Sequence, residues 1–208
     1  MSRRLCRQDL TVDYGRIADV EDFVNLLDIS AGEFMRALFG PNMRQTVSFL
    51  YSYGNTIFGA QSVVFARLHG ENIGMYTGYA PWRSALTYLR TGWVLLRHLR
   101  RTTSPRLSRM IAGAKMSIFP PRTFYLSNIA VYYEYRGMGI GKLLMEYLEK
   151  TLEEKGMKRI VLDVETSNSD AISFYSQLGY RRAKKSRVIK VSRKRFEFFR
   201  MEKRIGQH

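Results

Sequence analysis

Thr123-Phe-Tyr-Leu-Ser-Asn-Ile-Ala-Val131, followed by Arg136-Gly137-Met138-Gly139-Ile140-Gly141-Lys142, carries most of the structural information in this chain. The first run is rich in apolar and aromatic residues and predicts a strand. From Gly139 to Lys155 the residues Ile140, Leu143, Leu144, Tyr147, Leu148 and Leu152 recur on one helical face, and Gly156 suits the position just past a helix end. Between strand and helix, glycines allow successive backbone N–H groups to turn toward one point, where the helix N-terminus adds partial positive charge. Arg136 and Lys142 add full charges. This order of strand, glycine-rich turn and helix suits the binding of a pyrophosphate.

Loops of different families share that logic and are told apart by spacing. A dinucleotide fingerprint, G-x-G-x-x-G, started at Gly137 meets Lys142 where its third glycine belongs. A P-loop ending in Gly141-Lys142 meets Arg136 in place of its first glycine and Leu143 in place of its hydroxyl residue. The pattern that is met is R-x-x-G-x-G. Downstream, Arg159 to Glu165 predicts a strand, Asp170 to Leu178 a helix closed by Gly179, and two further strands are expected at about Tyr180 to Val191 and Phe196 to Arg204.

Asn128-Ile-Ala-Val131, Tyr135 to Leu144, Leu162-Asp163-Val164, Asn168, Ala171-Ile172, Phe174-Tyr175, Leu178-Gly179-Tyr180 and Phe198 to Lys203 form an ordered set. That set resembles the GNAT superfamily of N-acetyltransferases from its fourth strand through its closing strand. Locally it is similar to the ribosomal-protein alanine N-terminal acetyltransferases. The resemblance implies an α/β (mixed α+β) fold with a central mixed, mostly antiparallel sheet flanked by helices and splayed between the fourth and fifth strands. It implies acetyl-CoA as cosubstrate, no metal, and an amine as acceptor. The pantetheine arm would lie in the splay against backbone groups of Ile129, Ala130 and Val131. The N–H groups of Gly137, Met138, Gly139, Ile140, Gly141 and Lys142, with Arg136 beside them, would hold the pyrophosphate. Asn168 would contact the arm, and Tyr175 would lie near the sulfur and protonate the departing thiolate. Asp163 stands where the alanine acetyltransferases have a glutamate in the same Leu-acid-Val setting, which makes it the expected base, acting through a water. Other readings of these residues stay open: a core aromatic for Tyr175, a helix cap for Asn168, strand pairing for Asp163. Glu71 and Glu134 are further candidates for the base.

The rest of the chain is less specific. Thr11 to Arg16 predicts a strand and Asp19 caps a helix with Val20, Phe23, Val24 and Leu27 on one face. Helical segments are expected at Ala31 to Phe39 and Met43 to Tyr53, and a hairpin at Gln61 to Tyr79 turning on Gly70-Glu71-Asn72. The whole, residues 1–208, reads as one domain with a basic, partly helical insertion at 80–122. In the insertion Leu86, Leu89, Trp93 and Leu96 are expected to face the core, with Arg83, Arg90 and Arg97 as a stripe on another face. The alternative is a surface that meets substrate, partner or membrane. A second short helix is expected after Pro105.

A net charge of +16 implies attraction to polyanions, and from Asn72 to Tyr133 there is neither Asp nor Glu. Composition that is 45% hydrophobic excludes a disordered chain. A lone Cys6 forms no internal disulfide and favours a reducing compartment. Neither a signal peptide nor a spanning helix is expected, so the chain reads as cytoplasmic. His69, His98 and His208 show no metal-ligand spacing. The functional expectation is an N-acetyltransferase, with a homodimer and an anionic partner at Arg83, Arg90 and Arg97 as assembly expectations. The rival is a non-catalytic protein of the same fold that binds nucleic acid or an anionic membrane surface.

Overall fold

A computed structural model describes residues 10–81, 85–99, 119–185, 188–191 and 194–206. Arg83, all of 100–118 and therefore the helix expected after Pro105, the side chain of Leu96, Cys6 and His208 lie outside the described residues. In chain order the elements are β1 (Leu10–Tyr14), α1 (Val20–Phe39), α2 (Met43–Tyr53), β2 (Val63–Leu68), β3 (Glu71–Tyr79), α3 (Ala85–Leu99), β4 (Thr123–Val131), α4 (Ile140–Glu154), β5 (Arg159–Glu165), α5 (Ser169–Gln177), β6 (Arg181–Lys185), β7 (Ile189–Val191), β8 (Lys194–Phe196) and β9 (Phe198–Arg204).

Among the described residues only one neighbouring pair in the main sheet, β4 with β5, runs parallel; the order is β1-β2-β3-β4-β5-β9-β6 and the remaining pairs are antiparallel. The single strand expected at Tyr180 to Val191 is instead two. β6 pairs with β9 on the main sheet, whereas β7 and β8 form a separate hairpin. The β2–β3 turn falls one residue earlier than expected, at His69 and Gly70, whose φ values of 52° and 88° suit a tight hairpin.

The parallel pair ends early, and this opens the sheet. β4 and β5 are in register from Thr123 with Arg159 to Leu126 with Leu162. On its other side β4 pairs with β3 through Leu126 and then Asn128, skipping Ser127. Ser127 is thus the extra residue of a β-bulge, which bends the strand and breaks its pairing. Beyond it, Asn128 to Val131 stay with β3 while β5 continues to Glu165 paired with β9.

Alternation along β5 buries Ile160, Leu162 and Val164 in one core layer together with Ile140, Leu144, Met145, Leu148 and Leu152 of α4. Met145 takes the inward place that Leu143 was expected to fill. Burying each such side chain contributes about 1.5–3 kcal/mol. The opposite layer is built by α1 and α2 around Phe23, Leu26, Leu27, Val47, Leu50 and Tyr51. The helical segments expected to be separate in α1 are joined through a kink at Ala31, where φ is −150° and ψ 26°. A polar network pins the start of α1 to the sheet: buried Arg67 donates to Asp19 at 2.8 Å, Asn72 donates to Asp19 and Asp22, and Tyr132 donates to Asp22 at 2.6 Å. The kink is held by Asn128, whose side-chain amide donates to Ser30 Oγ at 2.7 Å.

Helix α3 is turned opposite to expectation. Thr91, Val94 and Leu95 are buried against the α1–α2 layer, whereas Leu86, Leu89 and Trp93 are exposed. Thr91 explains the rotation, since its hydroxyl accepts the Ile57 N–H at 3.1 Å and donates to Thr87 C=O at 2.6 Å, which anchors that side inward. No helix among the described residues is long and apolar enough to cross a membrane.

Candidate active site

The opening between β4 and β5 is the floor of a cleft of about 1580 Å³ that runs from α1 and α3 to the loop before α4. Its strand wall offers backbone groups. Tyr132 N–H donates to Ile73 C=O at 3.0 Å, so Tyr132 turns its backbone toward β3. Alternation then turns Ala130 the same way and aims the N–H and C=O of Ile129 and Val131 at the cleft. The Val131 carbonyl accepts from Arg136 Nε at 3.3 Å, consistent with that direction. An extended arm carrying amides can add to this edge as a strand would.

At the mouth of the cleft the loop has the backbone its glycines permit. Gly137 and Gly139 have φ of 76° and 82°, a region that L side chains rarely enter. Gly139 is the N-cap of α4, so the first N–H groups of that helix have no intrahelical acceptor. Gly141 is close-packed for a different reason: a Cβ there would stand 3.3 Å from the Phe174 ring. Arg136 lies over the Tyr133 ring at 3.9 Å, and Lys142 is exposed with Glu146 at 3.7 Å. A cradle of outward N–H groups with two cations beside it fits a pyrophosphate.

Tyr175, on α5, lines the cleft and is 7% exposed, packed edge-on against Phe174 at 5.3 Å. Burial pushes its phenol above the ordinary tyrosine range, so it stays protonated at neutral pH. Asn168 caps α5, its side-chain oxygen accepting the Ala171 N–H at 3.0 Å, and it also borders the cleft. The side-chain NH₂ is the part left to reach a ligand.

Asp163 faces the cleft but is already engaged. Arg200, opposite it on β9, donates from Nε and Nη2 to its two oxygens at 2.9 Å each, and Tyr125 donates to it at 3.2 Å. Sequence reasoning passed over Glu165, two residues on, although strand alternation puts it on the same face of β5 as Asp163. Glu165 lines the cleft, and burial followed by the nearby charge of Glu33 raises its pKa above the ordinary value. Glu33, in α1 beyond the kink, is held below its usual range first by a hydrogen bond from Lys194 at 2.8 Å. Glu71 and Glu134, the other base candidates, do not border the cleft. Among the described residues no group of His, Cys, Asp and Glu is placed to hold a metal.

Comparison with known proteins agrees with this geometry. Residues 33–180 match the family model described as Acetyltransferase (GNAT) family. The chain is 41% identical over 58 residues to [Ribosomal protein bS18]-alanine N-acetyltransferase of Escherichia coli strain K12, covering 28% of this chain and 39% of that protein. The match thus spans about two-fifths of the relative's length. Among solved structures, an N-acetyltransferase from Staphylococcus aureus Mu50 superposes with a TM-score of 0.68 at 16% identity, covering 92% of this chain and 99% of that one. A PaiA N-acetyltransferase from Thermoplasma acidophilum in complex with coenzyme A gives 0.55 at 17% identity, covering 94% and 98%. At these identities the structures speak for the fold.

Proposed function

Because the chain belongs to the GNAT acetyltransferase family, we propose that it moves an acetyl group from acetyl-CoA to a primary amine by direct attack in the β4–β5 cleft. The observation that carries this is the continuity of the cleft: one opening joins the N–H cradle at Gly137–Lys142, the free edge at Ile129 and Val131, and Tyr175. The loop and Arg136 hold the pyrophosphate, the edge and Asn168 hold the arm, and an N–H of β4 meets the charge that develops on the carbonyl oxygen.

The amine nitrogen forms a bond to the acyl carbon as the carbon–sulfur bond breaks. Tyr175 gives its proton to the departing sulfur; burial keeps the phenol protonated beforehand and makes it the weaker acid, so the developing thiolate charge must draw the proton off. The proton lost by nitrogen goes to a carboxylate. Asp163 has the place expected of that base, but its oxygens are taken by Arg200 and Tyr125. Glu165 has a raised pKa and borders the same cleft, and we assign it the proton. Asp163 then acts by positioning Arg200.

Titration of the protein with acetyl-CoA in a melting scan tests the cosubstrate. Ligand at 100 times its Kd stabilises by about 2.7 kcal/mol. No shift with acetyl-CoA or CoA at millimolar concentration would overturn the reading. Mass-spectrometric screening of small amines and peptide N-termini then identifies the acceptor.

A further inference from the structure

Leu86, Leu89 and Trp93 project from α3 with 80%, 71% and 54% of their surface exposed, and Arg90 and Arg97 are exposed beside them. Positions 86 and 89, 86 and 90, 89 and 93, 90 and 93, and 93 and 97 are each three or four apart, so the five side chains share one side of the helix, and the arginines do not form the separate face expected for them. The opposite side serves the fold through Thr91, Val94 and Leu95. Single exposed apolar residues are ordinary on a protein surface, whereas a contiguous group marks a face that meets something. Tyr53 at the end of α2, 41% exposed, extends the patch. Arg90 lies over its ring at 5.7 Å, and Arg97 lies over the Trp93 ring at 5.4 Å. Among the described residues neither arginine has a carboxylate within salt-bridge distance.

We propose that this face of α3 docks the protein on an anionic lipid surface. A helix lying in a membrane interface needs aliphatic and tryptophan side chains on the face it buries, with arginines at the level of the headgroup phosphates. The α3 face has both. Residues 73–132 contribute no acid that would repel such a surface. A nucleic acid would satisfy the arginines but offer Leu86 and Leu89 nothing apolar to enter. A second copy packed on the same face by two-fold symmetry would bring the arginines of both copies together. Thr91 and Leu95 border the cleft on the inner side of the helix, so docking sets the cleft about one helix diameter, roughly 10 Å, from the lipid.

The test is co-sedimentation of the full chain with phosphatidylcholine vesicles, with and without about one-third phosphatidylglycerol, read together with tryptophan fluorescence. Binding to the anionic vesicles alone, with a blue-shifted emission, is expected. Arg90→Glu with Arg97→Glu should weaken it at least about tenfold. Leu86→Ser with Leu89→Ser should weaken it comparably, and Leu89→Ser alone serves if the double variant melts early. Calorimetric binding of acetyl-CoA should be unchanged in all of them. Absence of binding to anionic vesicles overturns the proposal. Vesicle binding indifferent to the leucine changes, together with tight binding of duplex DNA, overturns it in favour of nucleic acid. A dimer seen by light scattering and dissolved by Leu89→Ser, without vesicle binding, overturns it in favour of self-association.

Discussion

Asp163 and Arg200 stand opposite each other across the β5–β9 ladder, and the guanidinium of one grips both oxygens of the other at 2.9 Å. Both side chains are less than one-fifth exposed. The aspartate holds the arginine charged, its hydrogen bond raising the Arg200 pKa further. Arg200→Leu leaves the carboxylate without its main partner and should cost about 1.5–3 kcal/mol of stability, read as a lower urea midpoint. Asp163→Asn should cost stability as well. If that variant keeps its urea midpoint yet loses turnover together with the acid limb of its pH profile, Asp163 is the base.

Two glycines of the phosphate loop fail for separate reasons. Gly139→Val meets open space but must hold φ near 82°, and Gly141→Val pushes on the Phe174 ring. Holding a side chain at that φ costs about 1–3 kcal/mol, whereas at Gly141 the Phe174 ring must give by a few tenths of an ångström. In both variants acetyl-CoA binding by calorimetry should fall at least tenfold. Unchanged affinity in both would place the pyrophosphate elsewhere.

Tyr175→Phe keeps the ring packed against Phe174 and Tyr180 and removes the hydroxyl alone. Turnover with a working amine should drop by about 10²–10⁴ while acetyl-CoA affinity stays near that of the parent. A kcat within about twofold of the parent would remove Tyr175 from the chemistry.

Glu165 predicts a pH profile. Burial first, and Glu33 second, raise its pKa above 4.5, so the base is lost by protonation at a higher pH than for an ordinary glutamate. Turnover should therefore fall on the acid side along a limb displaced upward. Glu33→Gln should move that limb down, and Glu165→Gln should abolish both limb and most turnover. The sign for stability is opposite to that of a paired acid. A raised pKa means the fold favours the protonated form, a contribution present below the unfolded value and lost as pH rises through the folded one. Glu165→Gln should accordingly melt no lower than the parent at neutral pH. An acid limb that persists unchanged in Glu165→Gln would assign the proton to another group.

The parts legible in sequence were those where a local rule suffices. Glycine spacing before α4, the alternation of Ile160, Leu162 and Val164, and the glycine stops at Gly156 and Gly179 depend on neighbours within a few residues. Orientation of α3 was not legible. Its Leu86, Leu89 and Trp93 are the apolar residues that the spacing picks out, yet a hydrogen bond from Ile57 to Thr91 and the packing of Val94 and Leu95 in the α1–α2 layer put the other side inward. Periodicity reports that a helix has faces, while packing elsewhere chooses between them.

The sequence by itself determined the family, the strand–loop–helix cradle and the face of β5 that carries acids, because each follows from backbone freedom and side-chain period. Tertiary structure alone decided which acid is available. Asp163 and Glu165 are equivalent in the strand pattern, but β9 brings Arg200 opposite the first and Phe198 opposite the second. A carboxylate gripped by a guanidinium and one left beside Glu33 in a cleft differ only through residues distant in the chain, since charge and burial act through space.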